Sequence, residues 1–240
     1  MKMIPQRPQS SHEKAPATLA QAATQLRRGG MEDMDGTPRV TAAEFERGYR
    51  ALQAREVGDA MYKTATFLVQ HFWGQPSDMA DGMGVLLLTW NQACYRYGSF
   101  DFALLEEALR ANMAVIEELR PRNIGSLVET DERGIRRLFL AFLDALRIAE
   151  GKNKGRKSPV AVAKALHLLA PGFLPLWDEK IANAYGCRYN SKPDQKYVVF
   201  AYKMKGLARQ LQEHVPADCG RTFLKLIDEY NYAKYTKGWI

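Results

Sequence analysis

The chain has little cysteine, no long apolar run and no alternating strand pattern, and each shortage excludes something. Three cysteines in 240 residues, Cys94, Cys187 and Cys219, are too few and too scattered for a disulfide framework, a CxxC redox pair or a four-thiolate metal site. They read as small buried residues of a reducing compartment. No apolar run approaches the roughly 18–20 residues that cross a bilayer, and the opening Met1-Lys2-Met3-Ile4-Pro5 lacks the apolar core of a signal peptide. A soluble cytoplasmic protein with no membrane contact is therefore expected. No stretch alternates apolar and polar residues at period two, so strands are not expected either.

What is present is helical. Hydrophobic residues make up 46% of the chain, enough to bury a core at this length. Residues 1–40 are the exception: Pro5, Pro8, Pro16, Pro38 and the Gly29-Gly30 pair interrupt a polar stretch that cannot offset the entropy of ordering, and a disordered tail is expected there. Thr41 then supplies an N-cap with Glu44 three residues on, opening a helix or a broken pair of helices to about Phe72. The segment from Gly84 to Gln92 starts apolar all round and turns polar at Asn91, as a buried helix does when its end emerges in a cleft. Asp101 and Asp131 open further amphipathic helices, and Ser158-Pro159 gives the N-cap and first-turn proline of another, to about Leu169. Helices are expected at 178–185, 196–213 and 221–232. The prediction is an all-α fold over residues 41–240.

Lys and Arg outnumber Asp and Glu by 34 to 27, a net charge of +7, which favours anionic partners without naming one. The excess is concentrated in the loop Gly151-Lys152-Asn153-Lys154-Gly155-Arg156-Lys157, immediately before the Ser158 cap. Free N–H groups at a helix start, glycines that permit close approach, and flanking cations together form a phosphate seat. A solvated basic loop is the alternative. In the following helix Lys164 and His167 lie three apart on one face of an otherwise apolar segment. A lysine shielded there acts as an amine nucleophile if its pKa is lowered; otherwise it snorkels to solvent with the histidine at the rim. Asp178 follows Leu176 and Trp177 at the start of the next helix. It reads as an N-cap, and equally as a carboxylate fixed beside an aromatic and a phosphate-binding loop.

The order of these parts resembles the helix-hairpin-helix DNA glycosylase superfamily, of the endonuclease III and 8-oxoguanine glycosylase type. The stretch Leu174-Pro175-Leu176-Trp177-Asp178-Glu179-Lys180-Ile181 with Gly186 is similar to the family's turn into the helix that carries its catalytic aspartate. Leu86-Leu87-Leu88-Thr89-Trp90-Asn91-Gln92 is similar to the family's Leu-Leu-Ser-x-Gln helix. The resemblance spans residues 84–190 and implies a distant member: a two-lobed helical bundle with DNA in a cleft between the lobes, a hairpin-like basic loop, and removal of a damaged or modified base, including the hypermodified bases of phage DNA. It implies Asp178 as the catalytic carboxylate, stabilising an oxocarbenium-like sugar and aligning water. The lysine of bifunctional members falls on Lys157 or Lys164, 21 and 14 positions before Asp178, or on neither. DNA contacts are expected from Lys152, Lys154, Arg156 and Ser158, and from Trp90, Asn91, Gln92, His167 and Trp177 around an extruded nucleotide.

The sequence departs from the family in two places. The usual Leu-Pro-Gly-Val-Gly hairpin is replaced by Gly151 to Ser158, and the four-cysteine iron–sulfur site has no counterpart. No metal or cofactor is called for, and a monomer is expected. A non-enzymatic helical DNA- or RNA-binding protein is the rival reading, and a helical protein-interaction domain the third.

Overall fold

The computed structural model describes residues 37–55, 59–214 and 220–240. The expected tail at 1–40 lies almost wholly outside the described residues, as does Cys219. The described residues form ten α-helices: α1 (Ala42–Arg55), α2 (Ala60–His71), α3 (Pro76–Trp90), α4 (Gln92–Tyr95), α5 (Phe102–Leu119), α6 (Glu132–Ala145), α7 (Pro159–Leu169), α8 (Glu179–Ala184), α9 (Pro193–Leu211) and α10 (Phe223–Asn231). A π-helical turn, Tyr232–Thr236, continues α10. Among the described residues the only β-pairing is an isolated bridge between Phe100 and Ile148. No described helix is long and apolar enough to cross a membrane.

Local chemistry accounts for the helix starts. Thr41 Oγ1 accepts from Glu44 N at 3.2 Å, Asp101 Oδ1 from Ala103 N at 2.9 Å, Ser158 Oγ from Ala161 N at 3.2 Å and Asp178 Oδ1 from Ile181 N at 2.8 Å, each covering a donor the first turn leaves open. Two expectations are refined. The Glu44 carboxylate does not turn back to complete a capping box but binds Lys234 and Tyr230 on the far end of the chain. The Asp131 carboxylate does not cap forward; it accepts from Val128 N and holds Arg122 in a two-pronged pair at 2.6 and 2.7 Å. Helix α9 begins at Pro193, earlier than the apolar pattern indicates, because proline suits a first-turn position.

The core is continuous from α1 to α10. Phe45, Phe139, Phe142, Phe173, Trp177, Tyr197, Phe200 and Tyr230 are all buried in it. Helix α7 is its most enclosed element, with every residue from Ala161 to Leu169 buried except Lys164. Helices α3, α6 and α2 pack around α7, and α10 packs on α1 and α9. Between α6 and α7 the chain makes a closed turn: Gly155 N donates to Ile148 O at 2.8 Å and Ile148 N to Arg156 O at 2.9 Å. Gly151 and Gly155 hold positive φ angles of 79° and 83° in this turn, a region other residues enter only at a cost. A Cβ on Gly151 would also meet Tyr97 O at 2.1 Å, so the turn is seated directly on the α4–α5 connection.

Candidate active site

Several segments converge on a cavity of about 820 Å³, within the size range of small-molecule sites. The end of α3 brings Trp90 and Asn91; the closed turn and α7 bring Arg156, Ser158 and Lys164; the turn into α8 brings Trp177 and Asp178. Asp59, ahead of α2, and Lys225 and Asp228, on α10, complete the polar lining, with Tyr189, Arg221 and Thr236 beside them.

Asp178 is held at both oxygens. Oδ1 accepts from Ile181 N, and Oδ2 accepts from the Thr236 hydroxyl at 2.5 Å. Because each carboxylate oxygen carries two lone pairs, both bonds leave acceptor capacity on a carboxylate that lines the cavity. The cap therefore fixes the carboxylate without using it up.

Lys164 Nζ donates to Trp90 O at 2.8 Å and to Asn91 Oδ1 at 2.9 Å. Trp90 O is one of the carbonyls left open by the end of α3, where a cation also meets the negative end of the helix dipole. Burial pushes the Lys164 amine down to about 8, against the opposing pull of the Asp228 and Asp178 carboxylates. The amine is thus mostly protonated at neutral pH, with a minor neutral fraction that grows as pH rises towards 8.

Beneath these groups lies a buried charge cluster. Lys225, 2% exposed, sits 3.1 Å from Asp59 Oδ2, 3.3 Å from Asp228 Oδ2 and 3.7 Å from Glu229 Oε1. Burial opposes its charge, but these carboxylates outweigh burial and hold its pKa above the usual lysine value. Burial raises the Asp228 carboxyl; Lys225 pulls it back, and the negative charge of Asp178 pushes it up again. Glu229 is further paired with Arg221 at 2.9 Å. Lys225 also faces the rings of Tyr62 and Trp90, at 4.8 and 5.4 Å, and these two rings stack on each other. The cluster fixes the Trp90 wall of the cavity from behind.

The residues singled out in the sequence divide into three groups. Asp178, Lys164, Trp90, Asn91, Arg156, Ser158 and Trp177 share the cavity. Trp177 does so by an edge only: it is 1% exposed, donates Nε1–H to Pro159 O at 3.2 Å and packs against Phe139, Tyr197 and Phe200. It is chiefly core, so Trp90, half-buried, is the larger aromatic surface of the two. Lys157 lies outside the cavity and pairs with Asp144 on the surface. Lys152, Lys154 and Gln92 are exposed and also lie outside it.

His167 is likewise not brought to the cavity. It is wholly buried, with Nδ1–H donating to Leu174 O at 2.8 Å and Nε2 accepting from the Tyr62 hydroxyl at 2.9 Å. A carbonyl only accepts, which settles the tautomer. Burial pushes the imidazole down to about 3, so the ring is neutral and works as a core strut between α7, Tyr62 and the turn at Leu174. Its placement three residues from Lys164 put both on one helical face, but the face turns far enough for one to reach the cavity and the other to be covered.

Sequence reasoning missed Lys225, Asp228, Asp59 and Thr236. Lys225, Asp228 and Glu229 stand at i, i+3 and i+4, a spacing that on an amphipathic helix reads as an exposed ion-pair face. The signal was available only as a pattern with two opposite meanings. No family model, no curated protein and no solved structure matches the chain.

Proposed function

We propose that this chain is a DNA glycosylase that removes a modified base from an extruded nucleotide, with Asp178 as the catalytic carboxylate. The observation that carries this reading is the shared cavity of Asp178 and Lys164: a carboxylate anchored at a helix start and an amine of lowered pKa, in a cavity lined also by Trp90, Tyr189, Arg156 and Arg221. Two lobes of the helical bundle would flank the DNA, with the closed basic turn at 151–157 gripping the backbone phosphates. A nucleotide swung out of the stack would enter the cavity with its base against Trp90.

On this account the C1′–N bond breaks with its electron pair leaving on the base. Asp178 stabilises the positive charge that develops on the sugar, and a water adds to C1′ while its proton passes to the departing base. Of the two lysines compatible with the sequence, Lys164 is the one within the cavity and is the amine of any covalent route: it would attack C1′ in place of water, lose a proton to the departing base, and form an iminium as the C1′–O4′ bond opens and O4′ takes up a proton. Lys157 is assigned to backbone contact alone.

The test is a panel of duplexes carrying damaged, methylated, hydroxymethylated and glucosylated bases, scored for abasic sites with wild-type protein and Asp178→Asn. Abasic sites that appear with wild type and vanish with the variant support the assignment. Salt-sensitive binding with no base release on any substrate supports instead a non-enzymatic nucleic-acid-binding module.

A further inference from the structure

Tyr97, in the loop between α4 and α5, is 62% exposed. Phe67, equally exposed, stacks on His71, whereas among the described residues no ring, cation or hydrogen-bond partner meets the Tyr97 side chain. A lone exposed aromatic is ordinary on a protein surface, but this one stands on a rigid joint. Gly98 and Gly151 face each other where the loop meets the closed turn: a Cβ on Gly98 would strike Glu150 O, and one on Gly151 would strike Tyr97 O. Ala149 N donates to Ser99 O at 2.8 Å, and the Tyr95 hydroxyl to Leu146 O at 2.9 Å. With its backbone fixed in this way, the phenol gives up little freedom when a flat partner lies on it.

The charge at the joint is mostly of one sign. Arg96 precedes Tyr97, and Lys152, Lys154 and Arg156 follow Gly151; all four are exposed, and among the described residues none is paired with a carboxylate. Glu150 is the opposing charge, and Asp144 is already taken by Lys157. The same stretches reach the cavity, which Cys94, Arg156 and Ser158 line.

We propose that the Tyr97 loop and the closed turn form a docking surface for single-stranded nucleic acid, on which Tyr97 stacks on an unpaired base while Lys152, Lys154 and Arg156 hold the phosphates beside it. The inference rests on the base-extrusion reading and adds to it the contact that holds the strand next to the extruded nucleotide. Cations neutralise the phosphates of paired and unpaired strands alike, but an aromatic face needs a base out of its stack. Every base has such a face, so the surface prefers unpaired strands and tolerates any sequence.

The probes are a thymidine oligomer and an abasic oligomer of the same length, which carry the same phosphates and differ in their bases. Fluorescence anisotropy with the full chain is expected to show Tyr97→Ala binding the thymidine oligomer at least about five-fold more weakly than wild type. Tyr97→Trp should restore the affinity, and all three proteins should bind the abasic oligomer equally. Lys154→Gln should weaken both oligomers and lower the salt slope by about 0.7, whereas Tyr97→Ala should leave the slope unchanged. Wild-type affinity in Tyr97→Ala, an equal loss on the abasic oligomer, a wild-type salt slope in Lys154→Gln, or no oligomer binding at low salt would overturn the assignment. Tyr97-dependent binding without base release would sink the enzymatic reading alone. Abasic sites formed by a protein whose oligomer binding ignores Tyr97 would sink this assignment alone.

Discussion

The Thr236 hydroxyl donates to Asp178 Oδ2 while Ile181 N donates to Oδ1 of the same carboxylate, so residues 58 positions apart in sequence fix one side chain from two directions. The π-helical turn at Tyr232–Thr236 delivers the threonine, in keeping with the frequent use of such turns at functional sites. Asp178→Asn keeps an oxygen for the Ile181 cap, and Thr236 can reverse its hydroxyl to accept from the new amide. Asp178→Ala keeps neither bond. Loss of the cap costs about 1 kcal/mol, which for a domain of this size lowers the melting temperature by roughly 2–4 °C. Thermal melts should therefore separate the two variants: Asp178→Asn near wild type, Asp178→Ala below it.

Lys164 gives a prediction in chemistry and one in pH. Borohydride reduction of a protein–DNA mixture should trap a covalent adduct only if the amine attacks the sugar; such an adduct should vanish in Lys164→Gln and persist in Lys157→Gln. Its yield should rise with pH up to about 8, where burial places the amine. The linkage has a definite sign. With the folded pKa lowered below the unfolded one, the unfolded chain binds more protons between about 8 and 10.5, so this residue's destabilising effect is full below about 8 and fades as pH rises through that window. Denaturant titrations of wild type against Lys164→Met should show wild type gaining on the variant from pH 8 to pH 10.

His167 acts in the acid range. Folded, its imidazole stays neutral down to about 3; unfolded, it takes a proton near 6.5. Stability linked to this ring is present above 6.5 and falls as pH drops towards 3, by at most about 1.4 kcal/mol per pH unit. In His167→Gln this component of the acid slope should disappear, although the variant starts lower because Tyr62 and Leu174 lose their partner. Ring resonances that titrate near pH 6.5 in the folded protein would contradict the buried neutral assignment.

The overall architecture was legible in the sequence because its cues are local. Caps at Thr41, Asp101, Ser158 and Asp178, prolines at first-turn positions and apolar spacing at 3.6 residues all act within one or two turns, and an all-helical fold follows from them. Part of the cavity was legible for the same reason: Asp178, Lys164 and Asn91 each break an apolar pattern at a helix start, middle or end. What was hidden depends on contacts between distant segments. Nothing near Lys225 in sequence indicates that Asp59 will cover it, and nothing near His167 indicates that Tyr62 and Leu174 will take both of its nitrogens. Trp177 illustrates the same limit, since a tryptophan beside a catalytic candidate reads as a base-stacking surface until its neighbours Tyr197 and Phe200 enclose it.

The Lys225 cluster makes the strongest stability prediction. One buried cation faces Asp59, Asp228 and Glu229, so Lys225→Met leaves three carboxylates without their shared partner, a change expected to cost about 3–5 kcal/mol. The variant's carboxyls should be pushed further up than the raised values that Asp228 and Glu229 already have. Its folded state then binds more protons than its unfolded state, and lowering the pH towards the carboxyl range should restore part of the loss. Urea titrations at pH 7 and pH 5 would register this as a deficit that narrows on acidification.

The central claim is that the Asp178 carboxylate performs base release in this cavity. The most direct test is single-turnover formation of abasic sites on the best substrate of the modified-base panel, with DNA affinity measured on the same preparations. The account predicts that Asp178→Asn binds that DNA as wild type does, melts as wild type does, and releases base slower by at least about a hundred-fold, the loss of one preorganised electrostatic group. Base release by Asp178→Asn at the wild-type rate would contradict it.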